Sequence, residues 1–424
     1  MSPKNVLIIG SGTGGILTAN VLSKILREKI KAGSLKITLI SENNRHYFQP
    51  ANLDVAFRGA DPSRYFREVS SLVKPKIDLI YDRAAFIDLS NRKVKLANIG
   101  PVSYDYLVIA TGSVAEPEAI SGLADASLNF HSSPENALEI WRAINKINSG
   151  KILVVIAGVP HKCPPSPNEA AFLLDEYFRK RGIREKVEIK FITPYGRAYP
   201  AHGISEVVEE LFSERNIEVV TFFNLESVDH RRRKVYSYEG EEHAYDLLIS
   251  VPPHFGAPVV RSSGIGDRQG WVTTDKNDMT VLDYDDAYAI GDATNIPISK
   301  SGVVAHLESS VVAYNIASEL YGSGDRYGYN GRINCPMEVG FKKAIFINGT
   351  YDSPPRRQVP SMVKYLMKRL FGRFYWNVLS GDFEWMFNLY FGEIKYMLKT
   401  RGLTLHEGSR EVGKEAETVQ EELH

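Results

Sequence analysis

Asn5-Val-Leu-Ile-Ile-Gly10-Ser11-Gly12-Thr13-Gly14-Gly15 runs a short apolar strand pattern straight into a glycine loop. The spacing G-x-G-x-x-G is met by Gly10, Gly12 and Gly15, with Gly14 in the same loop. Gly10 permits a tight turn, Gly12 lets a pyrophosphate approach the backbone, and Gly15 lets helix and strand pack closely. The helix that follows turns its N-terminus towards the phosphates. An apolar-periodic helix is expected from about Gly15 to Arg27 and a second strand over Lys36–Ile40, a βαβ opening that implies a parallel, doubly wound sheet. Glu42 ends that second strand, where an acid is expected to hold the ribose hydroxyls. The polar stretch Lys29–Ser34 pushes it further from the glycines than is usual.

Outward from this opening, Tyr106–Ala110 reads as another buried strand of the same sheet. A second βαβ-like set begins at Lys151, with strands near Ile152–Ala157, Val187–Thr193, Ile217–Phe222 and Asp246–Val251, and a helix near Glu169–Lys180. A strand at Ala287–Ile290 and a helix from about Gly302 to Tyr321 return to the first pattern. The expected division is therefore 1–113 and 256–332 for one dinucleotide-binding domain, 114–255 for an inserted Rossmann-like domain, 333–405 for a C-terminal region and 406–424 for a charged tail.

The chain of 424 residues is 43% apolar, enough for two or three cores, and carries 51 basic and 51 acidic side chains. Nothing in that balance suggests a nucleic-acid partner, which would need a strongly basic face. No signal peptide and no spanning helix are expected, since no apolar run reaches about 18 residues. Two cysteines, Cys163 and Cys335, are too few for a disulfide-stapled scaffold, so any role they have is chemical.

Two further motifs narrow the dinucleotide. Tyr106-Leu-Val-Ile-Ala-Thr111-Gly112 resembles the "ATG" strand end of two-dinucleotide-domain flavoproteins, and Tyr288-Ala-Ile-Gly291-Asp292-Ala-Thr294 resembles their second FAD motif. The resemblance implies that Asp292 bonds the ribityl chain and that the next helix points its dipole at the flavin. The inserted domain lacks the second glycine fingerprint a pyridine-nucleotide reductase needs. Its strand runs into Gly158-Val-Pro-His-Lys-Cys163-Pro-Pro-Ser-Pro167, where prolines remove backbone donors and fix φ, so NAD(P)H is not expected to be the electron donor.

The segment Cys163-Pro-Pro-Ser-Pro-Asn-Glu-Ala170 resembles the cysteine loop of sulfide:quinone oxidoreductases. Cys335-Pro-Met-Glu-Val-Gly-Phe-Lys-Lys-Ala344 is similar to the stretch carrying their second redox cysteine, and His46–Pro50, Ala289–Thr294 and Lys300–Gly302 look like the same family over roughly residues 4 to 400. The resemblance implies an α/β fold of two Rossmann-like domains, glutathione-reductase-like, with C-terminal amphipathic membrane-binding helices. It implies bound FAD, lined by Gly10, Gly12, Gly14, Gly15, Glu42, Pro50, Ala84, Thr111, Gly112, Gly291, Asp292, Lys300 and Gly302. It implies catalysis by Cys163 and Cys335, with Glu169 as proton handler and Lys300 as the cation near the flavin or the quinone. Many members have a third cysteine after the ATG strand; here Phe130-His131-Ser132 occupies that place, with Ser132 in the cysteine's position and His131 expected as a solvent-exposed loop residue.

The partners implied are hydrogen sulfide, a membrane quinone and the membrane surface itself. From Val359 to Lys399 aromatics such as Trp376 and Trp385 alternate with Lys364, Lys368, Arg369, Arg373 and Lys395, a pattern that suits helices lying in a membrane interface. The same helices fit a domain-closing pair or a homo-oligomer contact. A peripheral, monotopic protein of the cell membrane is expected. Alternatives that remain open are a type II NADH:quinone oxidoreductase, a flavocytochrome-type sulfide dehydrogenase (which needs a haem partner and export) and a non-catalytic flavin-binding membrane protein.

Overall fold

The computed structural model describes residues 2–382 and 397–401. Trp385 and Lys395 of the aromatic and basic stretch, and the charged tail 406–424, lie outside the described residues. Two sheets organise the chain, the first parallel except for its antiparallel edge strand Thr280–Val281. The first has six strands in the order Thr280–Val281, Tyr284–Ala289, Tyr106–Ile109, Lys4–Ile9, Leu35–Ser41, Asp78–Tyr81. Its centre is the opening strand, with Ile8 in register with Leu39 on one side and Val108 on the other. Val6, Leu7 and Ile8 are fully buried, as an unbroken apolar run covered on both faces should be. One face packs under the helices Thr13–Ile25 and Gly302–Tyr321, whose Ile16, Leu17, Val304 and Leu307 share a core with Val6 and Ile8.

The second sheet orders Leu128–Asn129, Leu247–Val251, Gly150–Ile156, Val187–Ile192 and Ile217–Val220, all parallel. Its core is separate, built from Ile152, Val154, Phe172, Phe191 and Phe212, and it takes in Cys335 and Met337 of the strand Ile333–Glu338. That strand pairs antiparallel with Ala344–Gly349, placing Cys335 opposite Ile347. The helix Met362–Leu379 follows, capped by the Ser361 hydroxyl, which accepts from the Lys364 backbone N–H.

Element ends moved by a residue or three for local reasons. The first helix starts at Thr13, with Gly12 as its N-cap, and ends at Ile25. The cysteine-loop helix starts at Ser166, because Pro167 falls in the first turn, where a missing N–H costs nothing. Gly302–Tyr321 forms over the whole stretch read from the sequence, ended by Gly322 at φ +67°. Among the described residues, no helix is long and apolar enough to cross a membrane.

Candidate functional site

The glycine loop is shaped by contacts only glycine allows. A Cβ on Gly15 would stand 1.8 Å from the Gly10 carbonyl oxygen, and one on Gly10, at φ +101°, would stand 2.4 Å from the carbonyl oxygen of Ala110. A Cβ on Gly12 would meet no protein atom within 4 Å: it points into a cavity of about 620 Å³. The helix behind it has no side-chain cap and no acid in its first turn, so its backbone N–H groups are left for an anion. The Thr111 hydroxyl is buried with no hydrogen-bond partner among the described residues. A cradle and free donors of this kind fit the pyrophosphate of a dinucleotide.

The same cavity gathers residues from every part of the chain. Gly12, Gly14, Pro50, Gly112, Gly291, Asp292, Lys300 and Gly302 line it, and so do Cys163, Glu169 and Cys335. Gly10, Gly15 and Thr111 are not among its lining residues, although their chain neighbours Gly14, Ala110 and Gly112 are. Glu42 is exposed just past the strand Leu35–Ser41, and Ala84 is buried in the strand Ala84–Asp88 against the other face of the sheet.

Cys163 sits at φ +53°, a left-handed conformation that costs a non-glycine residue about 1–2 kcal/mol. Its N–H donates to the Lys300 carbonyl (2.7 Å), and its own carbonyl accepts from the Ser166 N–H and hydroxyl at 2.9 and 2.8 Å. The loop is thus tied to the segment that precedes the helix Gly302–Tyr321. Cys335 is the third residue of a strand, buried, with its sulfur 3.6 Å from the Ser301 hydroxyl. Both thiols are free. Burial pushes the Cys163 thiol up to about 12 and raises that of Cys335; Glu169 pushes both further up and Cys335 adds to the rise of Cys163, while the Lys368 ammonium pulls both down.

Lys368 enters from the helix Met362–Leu379 and pairs with Glu169, which also accepts the Glu338 N–H at 2.6 Å. Glu169 lies inside its helix and does not cap it. Burial raises its carboxyl, against the opposing pull of Lys368. The chain of charges continues: Glu338 to Arg58, Arg58 to Asp54 at 2.6 Å, Asp54 to Arg369 at 2.6 Å. A second tie runs to the glycine loop. His46 Nδ1 donates to the Ser11 carbonyl (2.9 Å), so its Nε2 accepts from the Tyr375 hydroxyl (2.7 Å), which accepts from Thr13 Oγ1 (2.9 Å). The helix is clamped over the cavity at both ends, and sequence reading missed both clamps because each closes across some 200 residues or more. Lys300 is buried, donating to the Thr294 carbonyl at 2.6 Å with its ammonium 4.0 Å above the Trp271 ring.

Two expectations for the loop after the ATG strand are corrected or refined. His131 is not solvent-exposed: it is 6% exposed and lines the cavity. Asn129 Oδ1 accepts from the backbone N–H of both His131 and Ser132, folding the chain so that the imidazole turns inward. Ser132 is exposed and lies outside this cavity. His202 is exposed at the start of the helix His202–Glu214, 3.5 Å from Glu206.

Comparison with known proteins agrees with this architecture. The chain is 27% identical over 391 residues to the mitochondrial sulfide:quinone oxidoreductase of Mus musculus, covering 88% of this chain and 86% of that protein. It is 28% identical over 413 residues to the sulfide-quinone reductase of Aquifex aeolicus, covering 89% and 92%. The X-ray structure of the Aquifex aeolicus sulfide:quinone oxidoreductase superposes with a TM-score of 0.82 at 26% identity, over 95% of this chain and 98% of that one. The type II NADH:quinone oxidoreductase of Staphylococcus aureus is less similar, at 24% over 355 residues, covering 78% and 86%. The family model for pyridine nucleotide-disulphide oxidoreductases matches residues 4–315, most of the chain, and this protein belongs to that family.

Proposed function

We propose that the protein is an FAD-dependent sulfide:quinone oxidoreductase that works on a membrane surface. The observation that carries this reading is that Cys163 and Cys335, far apart in sequence and on different elements, line one cavity with the glycine loop and the Gly291–Asp292 turn. FAD, when bound, supplies reversible two-electron chemistry. Gly10, Gly12, Gly14 and Gly15 with the bare helix N-terminus hold its pyrophosphate and Glu42 its ribose. Asp292 takes the ribityl hydroxyls, and Pro50, Ala84, Thr111, Gly112, Gly291 and Gly302 complete the bed.

In the oxidised protein Cys163 and Cys335 are joined as a disulfide; hydrosulfide attacks it and breaks the S–S bond, one cysteine keeping the new sulfur as a persulfide while the other leaves as a thiolate that carries the electron pair, which bound FAD would accept. Glu169, paired with Lys368, holds or yields a proton beside them, and Lys300 supplies a fixed cation beside Asp292. Ser132 contributes no third thiol, so neither a three-cysteine polysulfide extension nor flavin attachment at that position belongs to this reading.

The electrons leave to a quinone. Leu17, Phe48, Phe371, Val378 and Leu379 give the cavity an apolar arm under the helix Met362–Leu379. On that helix Met362, Val363, Leu366 and Leu370 form an exposed apolar stripe. Large exposed apolar side chains on one helical face, flanked by Lys364, Arg369 and Arg373, suit an interfacial anchor. The test is sulfide-dependent reduction of a soluble quinone analogue by the purified flavoprotein, lost in Cys163→Ser and Cys335→Ser. Normal turnover in either variant, or flavin bleaching by NADH and not by sulfide, refutes the reading.

A further inference from the structure

Glu308 is fully buried in the second turn of the helix Gly302–Tyr321, and no step above uses it. Its Oε2 accepts from the Gly291 N–H at 2.6 Å. Its Oε1 is buried too and, among the described residues, has no hydrogen-bond partner. The helix lies close against the Gly291–Asp292 turn: a Cβ on Gly291, at φ +65°, would stand 2.9 Å from Ala305 Cβ. Gly291, Asp292, Ala305 and His306 line the cavity and Glu308 does not, so it meets the flavin's bed by way of the Gly291 N–H.

A carboxylate this deep is normally paired, or else it takes a proton. The groups that face Glu308 are Lys300 and Asp292, with Tyr329 and Tyr351. The donors among them are engaged elsewhere. The Lys300 ammonium donates to the Thr294 carbonyl at 2.6 Å, the Tyr329 hydroxyl to the Arg332 carbonyl and the Tyr351 hydroxyl to the Lys276 carbonyl. Asp292, a second buried carboxyl facing the same ammonium, opposes a charge on Glu308 further. Burial pushes the Glu308 carboxyl up to about 8, with the Gly291 N–H and Lys300 pulling against that rise. A proton on Oε1 removes the charge and leaves Oε2 to accept from Gly291.

Two electrons entering the flavin add negative charge to the group that Gly291 and Asp292 help to hold. Like charges in a low-dielectric interior repel, and a proton relieves them. The coupling is reciprocal: what reduction adds to the proton affinity of Glu308, ionisation of Glu308 takes from the flavin's affinity for electrons. We infer that Glu308, acting through the Gly291–Asp292 turn, takes up one proton in alkaline solution when the flavin is reduced and returns it when the flavin is reoxidised, and so shapes the pH dependence of the flavin's potential. The two electrons come from the donor and stay on the flavin. The proton comes from water or buffer and forms one O–H bond on the Glu308 carboxylate. Glu308 is thus a positioning residue and touches neither substrate nor flavin. The inference needs bound FAD and is independent of what reduces it.

The test is an anaerobic, dye-mediated potentiometric titration of the holoenzyme's flavin across neutral and alkaline pH, in wild type and Glu308→Gln. Glutamine keeps an oxygen for the Gly291 N–H and cannot ionise. For a two-electron couple a tenfold change in equilibrium constant is about 30 mV, so each proton taken up steepens the fall of the midpoint by about 30 mV per pH unit. Below about pH 7, where Glu308 holds its proton in both redox states, the two midpoints should run parallel. Above about pH 8 the wild type should fall more steeply than Glu308→Gln by that one-proton slope. Equal slopes in the two proteins over the whole range overturn the inference. If Glu308→Gln fails to bind FAD, wild type alone decides: on reduction at about pH 9 its infrared difference spectrum should gain the C=O band of a protonated carboxyl, and absence of that band overturns the inference. Persistence of the band in a Glu308→Gln protein that binds FAD gives the proton to another carboxyl and overturns it too. The electrode reduces the flavin here, so a wild type that sulfide fails to bleach counts against the functional reading and leaves this one standing.

Discussion

Lys368→Met keeps most of the length of the side chain and removes the cation that, among the described residues, pairs with buried Glu169. The side chains of Lys368 and Glu169 are 19% and 2% exposed. Breaking a buried pair from one side costs about 3–5 kcal/mol, because the remaining charge loses its partner. Glu169 escapes part of that by taking a proton, which burial already favours. An unfolding entropy of about 2.1 cal/mol/K per residue over a chain of this length turns the loss into about 3–6 °C of melting temperature. The double variant Glu169→Gln/Lys368→Met has no charge left to strand, so it should lose less than the two single variants together, with a coupling of about 2–3 kcal/mol. The thiols offer a second reading: without Lys368 both are pushed further up, and iodoacetamide alkylation of Cys163 at pH 8 should slow. The assay is a double-mutant cycle by thermal and denaturant unfolding with alkylation rates alongside. A Lys368→Met protein that melts within about 1 °C of wild type, or single losses that simply add in the double variant, refutes the reasoning.

Gly12→Ala should leave the apoprotein's melting temperature unchanged and weaken FAD binding at least tenfold by flavin titration, because its Cβ meets only cavity; Gly15→Ala should fail to fold, because its Cβ strikes the Gly10 carbonyl. Glu308, whose carboxylate accepts the Gly291 N–H at 2.6 Å, is pushed by burial from 4.5 to about 8. The folded state therefore holds this proton more tightly than the unfolded one, and the stability it contributes is complete below about pH 4.5 and lost as pH rises through 8, about 4–5 kcal/mol over the window. Glu308→Gln should flatten melting temperature against pH and melt above wild type beyond pH 8; the reverse ranking contradicts it. Val363→Glu/Leu366→Glu, on the exposed stripe, should abolish co-sedimentation with lipid vesicles while sulfide-driven reduction of a soluble quinone analogue stays within about twofold of wild type.

What could be read from the sequence was local. The glycine loop is legible because each glycine answers a steric demand a few residues away, and the helix Gly302–Tyr321 because serine and glycine mark its ends. In the cysteine loop the local signal was the prolines, which bar a pyrophosphate; its chemistry was read from a family resemblance. The rest depends on closure across the fold. Nothing near His131 announces that Asn129 turns it inward, or that His161 and His254 arrive beside it. Lys368 looked like one of several basic residues on an amphipathic helix. Its partner Glu169 lies on a helix of the other sheet's domain, and a pair separated by 199 residues leaves no periodic trace. The strand Ile333–Glu338 that carries Cys335 tolerates Pro336 because, among the described residues, it is one of two strands in its ribbon.

The account stands on two thiols that share one cavity and accept sulfur together. The most direct measurement is mass spectrometry of the anaerobic, sulfide-treated holoenzyme, alkylated and digested without reductant. It should yield the Cys163 and Cys335 peptides joined through one or more extra sulfur atoms, in the same sample in which the flavin's visible absorption has bleached. Flavin bleached by sulfide with both cysteines recovered singly alkylated and carrying no added sulfur would contradict it.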